Sequence, residues 1–284
     1  MSPRPRPSGR AIHILVAAGA ALSFTVDTVP AAIQTFAGIQ PGVATLSSDS
    51  GMDADLASIP LTLGMRVRRV SLRAIVPYVD LSARTPEVAV PLPLPGSPAL
   101  TIPPQSVDEA GIGDVIFTPA LLLSGGGVGR SSLWGSVRVK LPTADESRWL
   151  GTGETDYAPG LGALVPLGTR FVALGLVRYN VRGDAPQVEY RDYLQASLGG
   201  TVRLGLFDAL TTTVTRGDAT SGAGDPADSL ALSWYHPLGR GGTAFTASAL
   251  AGATGDDRTY GLSLGITLNA VSYTHLTLPT IYSV

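Results

Sequence analysis

The side chains able to do chemistry in this 284-residue chain are mostly cationic. Arg66, Arg73, Arg138, Lys140 and Arg203 each sit on the polar phase of a segment that alternates polar with apolar residues. Cations gathered on one lining would hold anions, carboxylates of aromatic acids included. The same five side chains would equally serve an internal network paired with polar neighbours, filling a narrow interior. Other chemistry is poorly supplied. Cysteine is absent, which removes disulfides, thiolate metal sites and cysteine nucleophiles together. His236 follows Ser233 closely, but a hydrolytic Ser–His pair needs a third polar group to orient the imidazole, and no supporting motif is present. The expected place of His236 is an interfacial girdle. Gly151-x-Gly153 and Gly160-x-Gly162 lack the helix that a phosphate-binding fingerprint requires. Metal-ligand spacings are missing; Asp53-x-Asp55 and Asp256-Asp257 read as solvated loop acids. No cofactor and no enzymatic turnover are expected. A net charge of −2 gives no case for nucleic acid.

The elements that must position these residues have period two. Ile59, Leu61, Leu63, Met65 and Val67 alternate with Pro60, Thr62, Gly64, Arg66 and Arg68. Leu133, Val137, Val139 and Leu141 alternate with Trp134, Ser136, Arg138 and Lys140. Leu194, Ala196 and Leu198 alternate with Tyr193, Gln195 and Ser197, and Tyr260 to Leu268 alternate with Gly261 to Asn269. Charged residues are only 15% of the chain and mean hydropathy is +0.25. Beyond the N-terminus no apolar run reaches the ~20 residues of a membrane helix. A chain this apolar, without such runs, satisfies its backbone best as a closed barrel. Twelve strands are predicted, near 34–47, 56–67, 70–82, 113–124, 131–142, 157–167, 170–181, 191–204, 208–217, 229–237, 242–253 and 258–270. The fold class is therefore all-β, a transmembrane antiparallel up-and-down β-barrel, with both termini in the periplasm.

The predicted connections alternate long and short, and charge follows length. Asp53, Asp55, Asp108, Glu109, Asp145, Glu146, Glu154, Asp156, Asp225, Asp228, Asp256 and Asp257 accompany the long connections 48–55, 83–112, 143–156, 182–190, 218–228 and 254–257. Arg66, Arg68, Arg69, Arg73, Arg130, Arg170, Arg203 and Arg240 gather at the short ones. Asp27 and Asp208 are the exceptions. Short periplasmic turns and long outer loops facing cation-rich lipopolysaccharide account for this separation. Tyr78, Tyr157, Tyr179, Tyr193 and Tyr260 are expected in an outer aromatic belt, and Phe171, Phe207, Trp234 and Phe245 in an inner one. Residues 1–31 read as a cleavable secretory leader: Arg4, Arg6 and Arg10 precede an apolar run from Ala11 to Val26, with Val29 and Ala31 at a small-residue cleavage site. The run 271–284 resembles translated adapter sequence, so the barrel is expected to end near Ala270, and His275 is given no role.

One stretch carries a family resemblance. Val139-Lys-Leu-Pro-Thr-Ala-Asp145, followed by Leu150-Gly-Thr-Gly-Glu-Thr-Asp-Tyr157, resembles the signature of the outer-membrane transporter family associated with the meta-pathway of phenol degradation; Gly111-Ile-Gly-Asp-Val115 resembles the opening of an earlier strand in it. The family usually has Gly where this chain has Ala144. The resemblance spans about residues 50–270. It implies a passive bacterial outer-membrane channel for small organic compounds, aromatic ones among them. Its partners would be outer-membrane lipid and lipopolysaccharide, the barrel-assembly machinery and a small-molecule substrate. The alternative is a non-transporting surface or structural barrel whose acidic loops are the working part. The residues of the signature also have physical readings. Pro142 ends a strand's donor ladder, Gly151 and Gly153 permit a tight loop, and Asp145 or Asp156 bridges to Arg148 or caps a turn. Pro91-Leu-Pro-Leu-Pro-Gly-Ser-Pro98 is stiff and extended, and suits a constriction across the mouth or a segment lying on the outer surface.

Overall fold

A computed structural model describes residues 32–273 except 48–52, 85–87, 92–98, 103–105, 127–128, 149, 184–190, 205–207, 219–224 and 239–241. The strands, in chain order, are β1 (Ala32–Ile39), β2 (Gly42–Ser47), β3 (Asp53–Val67), β4 (Val70–Arg84), β5 (Val88–Pro91), β6 (Ala99–Ile102), β7 (Ser106–Ile112) and β8 (Val115–Ser124). They continue as β9 (Ser132–Leu141), β10 (Asp156–Leu167), β11 (Phe171–Asn180), β12 (Tyr193–Leu204), β13 (Asp208–Gly217), β14 (Ala227–Pro237), β15 (Thr243–Thr254) and β16 (Asp257–Tyr273). One 3-10 turn, Glu146–Arg148, is the only helical piece among the described residues. Every neighbouring pair is antiparallel, and β1 and β2 pair with β16 on one side and β3 on the other, which closes the sheet. β1 with β2, and β7 with β8, are single barrel strands interrupted once, so the wall has twelve strands.

Period-two alternation places the residues on two faces. Outward-facing Leu198 is 71% exposed and Leu262 65%, with Val43, Ile59, Leu61, Leu63, Val214, Leu230, Leu264 and Leu268 similarly exposed. A single water-soluble chain does not carry so continuous an apolar surface. The belt has edges. On β4 the outward residues are apolar from Val70 to Tyr78 and then turn to Asp80 and Ser82. That span is close to the ~9–11 residues with which a strand crosses the hydrocarbon core. Arg216, Asp228 and Arg258 mark the same rim on other strands; Arg216 and Asp228 lie 3.6 Å apart, both well exposed. Tyr78, Tyr157, Tyr179 and Tyr260 face outward near that rim, as expected. Tyr193 does not: it is 5% exposed and faces the interior, because its phase is that of Gln195 and Ser197.

Two connections and the end of the last strand differ from expectation. β4 runs to Arg84 and β7 begins at Ser106, so the region 83–112 contributes wall as well as loop. Within the remaining connection β5 and β6 pair as a separate hairpin; residues 92–98, the centre of the proline-rich stretch expected as a constriction or an outer-surface segment, lie outside the described residues. The link between β15 and β16, grouped with the long loops, is a two-residue turn: Thr254 pairs with Asp257, and Gly255 takes a φ of +55° that a side chain resists. β16 runs on to Tyr273, three residues past Ala270, paired with Ala32. The leader, residues 1–31, lies outside the described residues.

Candidate functional site

The interior has two unlike sides. Along β12 to β16 it is hydroxyl-rich: Ser197 and Thr215 share a hydrogen bond of 2.8 Å, Thr201 and Thr211 one of 2.9 Å, and Ser233 and Ser248 one of 2.9 Å. Along β2, β3, β4 and β8 it is apolar. Ala44, Leu46, Ala54, Leu56, Ile75, Val79, Leu81, Ala83 and Ile116 are all buried on the inward face. Sequence reasoning named only the cations of the lining and missed this apolar side.

The three stretches that carry the resemblance, 111–115, 139–145 and 150–157, meet at one place, between β7 and β10. A bulge starts it. Tyr78 pairs with Ile112 but Ile75 with Ile116, so two residues of β4 oppose three of the neighbouring strand. A bulge re-aims side chains; here Gly113 and Asp114 both point inward and are buried. The Gly113 N–H still donates to Pro77 O at 2.8 Å. Asp114, 4% exposed, accepts the backbone N–H of Ala144 at 3.1 Å and of Thr152 at 3.3 Å. Its Oδ2 lies 3.4 Å from Lys140 Nζ. Lys140, 2% exposed, is 3.1 Å from Asp156 Oδ2 and also donates to the Thr152 hydroxyl. Asp156 accepts the Gly183 N–H at 2.9 Å and lies 3.6 Å from Arg182 Nε.

The 142–155 loop is thus pulled onto the wall by its own signature residues. Thr143 Oγ1 accepts the Val115 N–H at 2.9 Å and donates to Gly113 O at 3.3 Å. Leu150 is 2% exposed and lies where a side chain on Gly111 would be, 2.5 Å from that Cβ position. Gly153 has the expected positive φ, +69°. Gly151 is needed for a different reason: a Cβ there would sit 2.5 Å from Asp114 Oδ1 and 2.7 Å from the Ala144 Cβ. Asp145 caps the 3-10 turn, accepting the Ser147 hydroxyl at 2.6 Å and its N–H at 3.0 Å. Those bonds, the hydroxyl's first, hold its carboxyl below the usual range. Arg148 pairs with neither Asp145 nor Asp156; it reaches Glu109 at 2.8 Å and Ala110 O at 2.9 Å.

The five predicted cations separate into three settings. Lys140 belongs to the buried network just described. Arg66, paired in register with Gln34, and Arg203, near the end of β12, lie toward the short-turn end of the barrel. Arg73 and Arg138 lie at mid-strand and face the interior, with Thr118, the partner of Arg73, on the strand between them. Arg178, which sequence reasoning missed, joins them: its Cγ lies 2.7 Å from where a Cβ on Gly160 would be, so it crosses the strand over that glycine. Arg138 reaches across small, buried Ala158 to donate to Asn180 Oδ1 at 2.7 Å. The cavity framed by Arg138, Lys140, Asp156, Ala158, Asn180, Arg182 and Tyr193 is about 10 Å³, room for one water at most. That corner is packed structure.

The hydrolase reading does not survive the geometry. Ser233 points inward to Ser248, whereas His236 points outward, its Nδ1 2.8 Å from Asp208 Oδ1. Trp234 donates to the same Asp208 oxygen at 3.0 Å and meets Phe245 edge-on. This is an interfacial girdle with polar handles.

An outer-membrane channel from Pseudomonas putida F1 matches with a TM-score of 0.62 and 12% identity, over 86% of this chain and 97% of that one. The two share a barrel fold. The translocator domain of the autotransporter NalP from Neisseria meningitidis (TM-score 0.48, 14% identity, 87% and 92% covered) and the monoaromatic hydrocarbon channel CymD (0.44, 11%, 87% and 90%) also match, at scores that carry no argument about this chain. No protein-family model and no curated protein matches it.

Proposed function

We propose that this chain is a passive bacterial outer-membrane channel for small organic molecules, aromatic ones included. The observation that carries the reading is the pairing of a closed twelve-strand wall, apolar outside from rim to rim, with an interior holding both arginines and an apolar side. The fold shared with an outer-membrane channel supports the reading, as does the resemblance of residues 139–157 to the phenol-degradation transporter family. Its partners are then outer-membrane lipid, lipopolysaccharide and, during insertion, the barrel-assembly machinery, with a small-molecule solute and no cofactor. Residues 1–31 act as the export leader. Liposome swelling with a panel of phenols, aromatic acids and sugars tests the proposal. Swelling above protein-free liposomes for some aromatic solutes is expected; none for any solute contradicts it.

A second reading has its own observation. Leu150 and the Lys140 network occupy the interior beside β7 to β10. If the remaining interior is equally filled, the barrel is a non-transporting surface protein, and the swelling assay returns no rate for any solute.

A further inference from the structure

We propose that the lipid-facing wall of β11 to β13 carries a binding site for one anionic phospholipid, with an acyl chain seated in a furrow and the phosphate held by Arg170 and Arg203 at the short-turn rim. The site rests on the barrel's place in a membrane and not on transport through it. The furrow follows from side-chain size along three rungs of the sheet. Leu198 pairs with Val214, Gly200 with Thr212, and Val202 with Leu210, all on the outward phase. The middle rung is low and continues into Ala173 on β11. The rungs on either side of it are tall. A groove of about 260 Å³, open to the outside, lies between them, lined by those six residues with Gly199 and Phe171. Phe171, 40% exposed, leans over Gly200: a Cβ there would lie 2.5 Å from its Cζ. Trp234 pairs with Leu210 and brackets the lower tall rung from the other side.

Depth and charge choose the occupant. The groove lies within the apolar belt, so hydrocarbon is what meets it. Left unfilled, its lining would forfeit dispersion contacts. Lipid tails are as apolar as the wall, so packing holds a chain there and the headgroup must supply selectivity. Thr212 is four residues from Asp208 along β13, about 10 Å in depth for a strand tilted by about 40°. An acyl chain whose head is at the rim spans that depth. Arg170, next to Phe171, and Arg203, next to Val202, are exposed at that rim, and the Arg203 N–H donates to Arg170 O at 2.9 Å. Asp208, the acid on the same rim, already accepts from Trp234 and His236. The opposite rim of these strands carries Asp192 and the Arg216–Asp228 pair instead. An anionic head therefore belongs at the short-turn end, where two cations stand side by side.

The test uses the full chain folded in a non-ionic detergent, with dioleoylphosphatidylglycerol, dioleoylphosphatidylcholine and soluble glycerol phosphate as probes. Native mass spectrometry counts the lipids retained. One phosphatidylglycerol per barrel is expected, bound at least about fivefold more tightly than phosphatidylcholine and not displaced by glycerol phosphate. Thr212→Trp fills the groove and abolishes the adduct, whereas Thr212→Val keeps it. Arg170→Gln weakens the phosphatidylglycerol adduct about fivefold. Ala251→Phe, which adds bulk to the outward face of β15 between Leu230 and Tyr260, changes nothing. If Thr212→Trp fails to fold, judged by heat-modifiable mobility, the comparison of the two lipids on the native chain still decides. Equal retention of the two lipids, or an unchanged adduct in folded Thr212→Trp, overturns the proposal. So does a dimer that excludes phosphatidylglycerol, which gives the groove to a second copy of the chain. A lipid adduct on a barrel that shows no solute flux leaves the site standing and removes the channel; flux without a selective adduct removes the site and leaves the channel.

Discussion

At the scale of single residues, burial decides which charges matter. Lys140 is 2% exposed between Asp114 and Asp156, so Lys140→Met leaves buried Asp114 without its cation and is expected to cost about 3–5 kcal/mol. Arg148 and Glu109, at 2.8 Å but 47% and 34% exposed, are worth under about 1 kcal/mol. Urea midpoints of K140M and E109Q in detergent check the contrast, and equal shifts would refute it. Gly151→Ala drives a methyl into Asp114 and Ala144 and is expected to cost about 1–3 kcal/mol, the range for overpacking. Gly168→Ala has nothing within 4 Å of its Cβ but sits at a φ of +80°, so it pays only backbone strain of about 1–2 kcal/mol. The network was half legible in the sequence. Lys140 and Asp156 were singled out, but Asp114 was read as part of a strand opening, because one extra residue changes which way it points and a bulge has no period of its own.

At the scale of elements, alternation gave the strands and their outward faces, and the structure keeps all twelve within a few residues at most ends. What it could not give was the contact between non-neighbouring pieces: β7 as wall, the 142–155 loop tied to the β7–β8 bulge, and Arg178 crossing Gly160. Those depend on register between strands, and one residue's slip exchanges the faces. Tyr193 was misplaced for a related reason. Its distance from the loop suggested the outer belt, while its phase, set by Gln195 and Ser197, turns it inward. The outward face makes its own prediction. Leu262 is 65% exposed amid the β16 belt, so Leu262→Arg is expected to destabilise the inserted barrel by about 2–4 kcal/mol if that position is near the bilayer midplane. A chain stable in water instead would tolerate it. Unfolding of L262R in liposomes, compared with the native chain, separates the two.

At the scale of the whole molecule, a closed wall explains why so apolar a chain needs no membrane helix, and the charged rims explain why acids and bases were separated along the sequence. The twelve strands, the closure and the rims follow from periodicity and charge. The apolar interior side does not, because toward the outer end of β3 and β4 the apolar residues change from the outward to the inward face, with Leu56, Val79 and Leu81 inward and Asp55, Asp80 and Ser82 outward. That side is also what distinguishes a path for organic molecules from a purely polar pore. The most direct test of the channel is conductance of the full chain in planar lipid bilayers. Discrete, ohmic current steps that favour chloride over potassium in a salt gradient are the predicted result. Heat-modifiable, fully inserted barrel that yields no steps would contradict it.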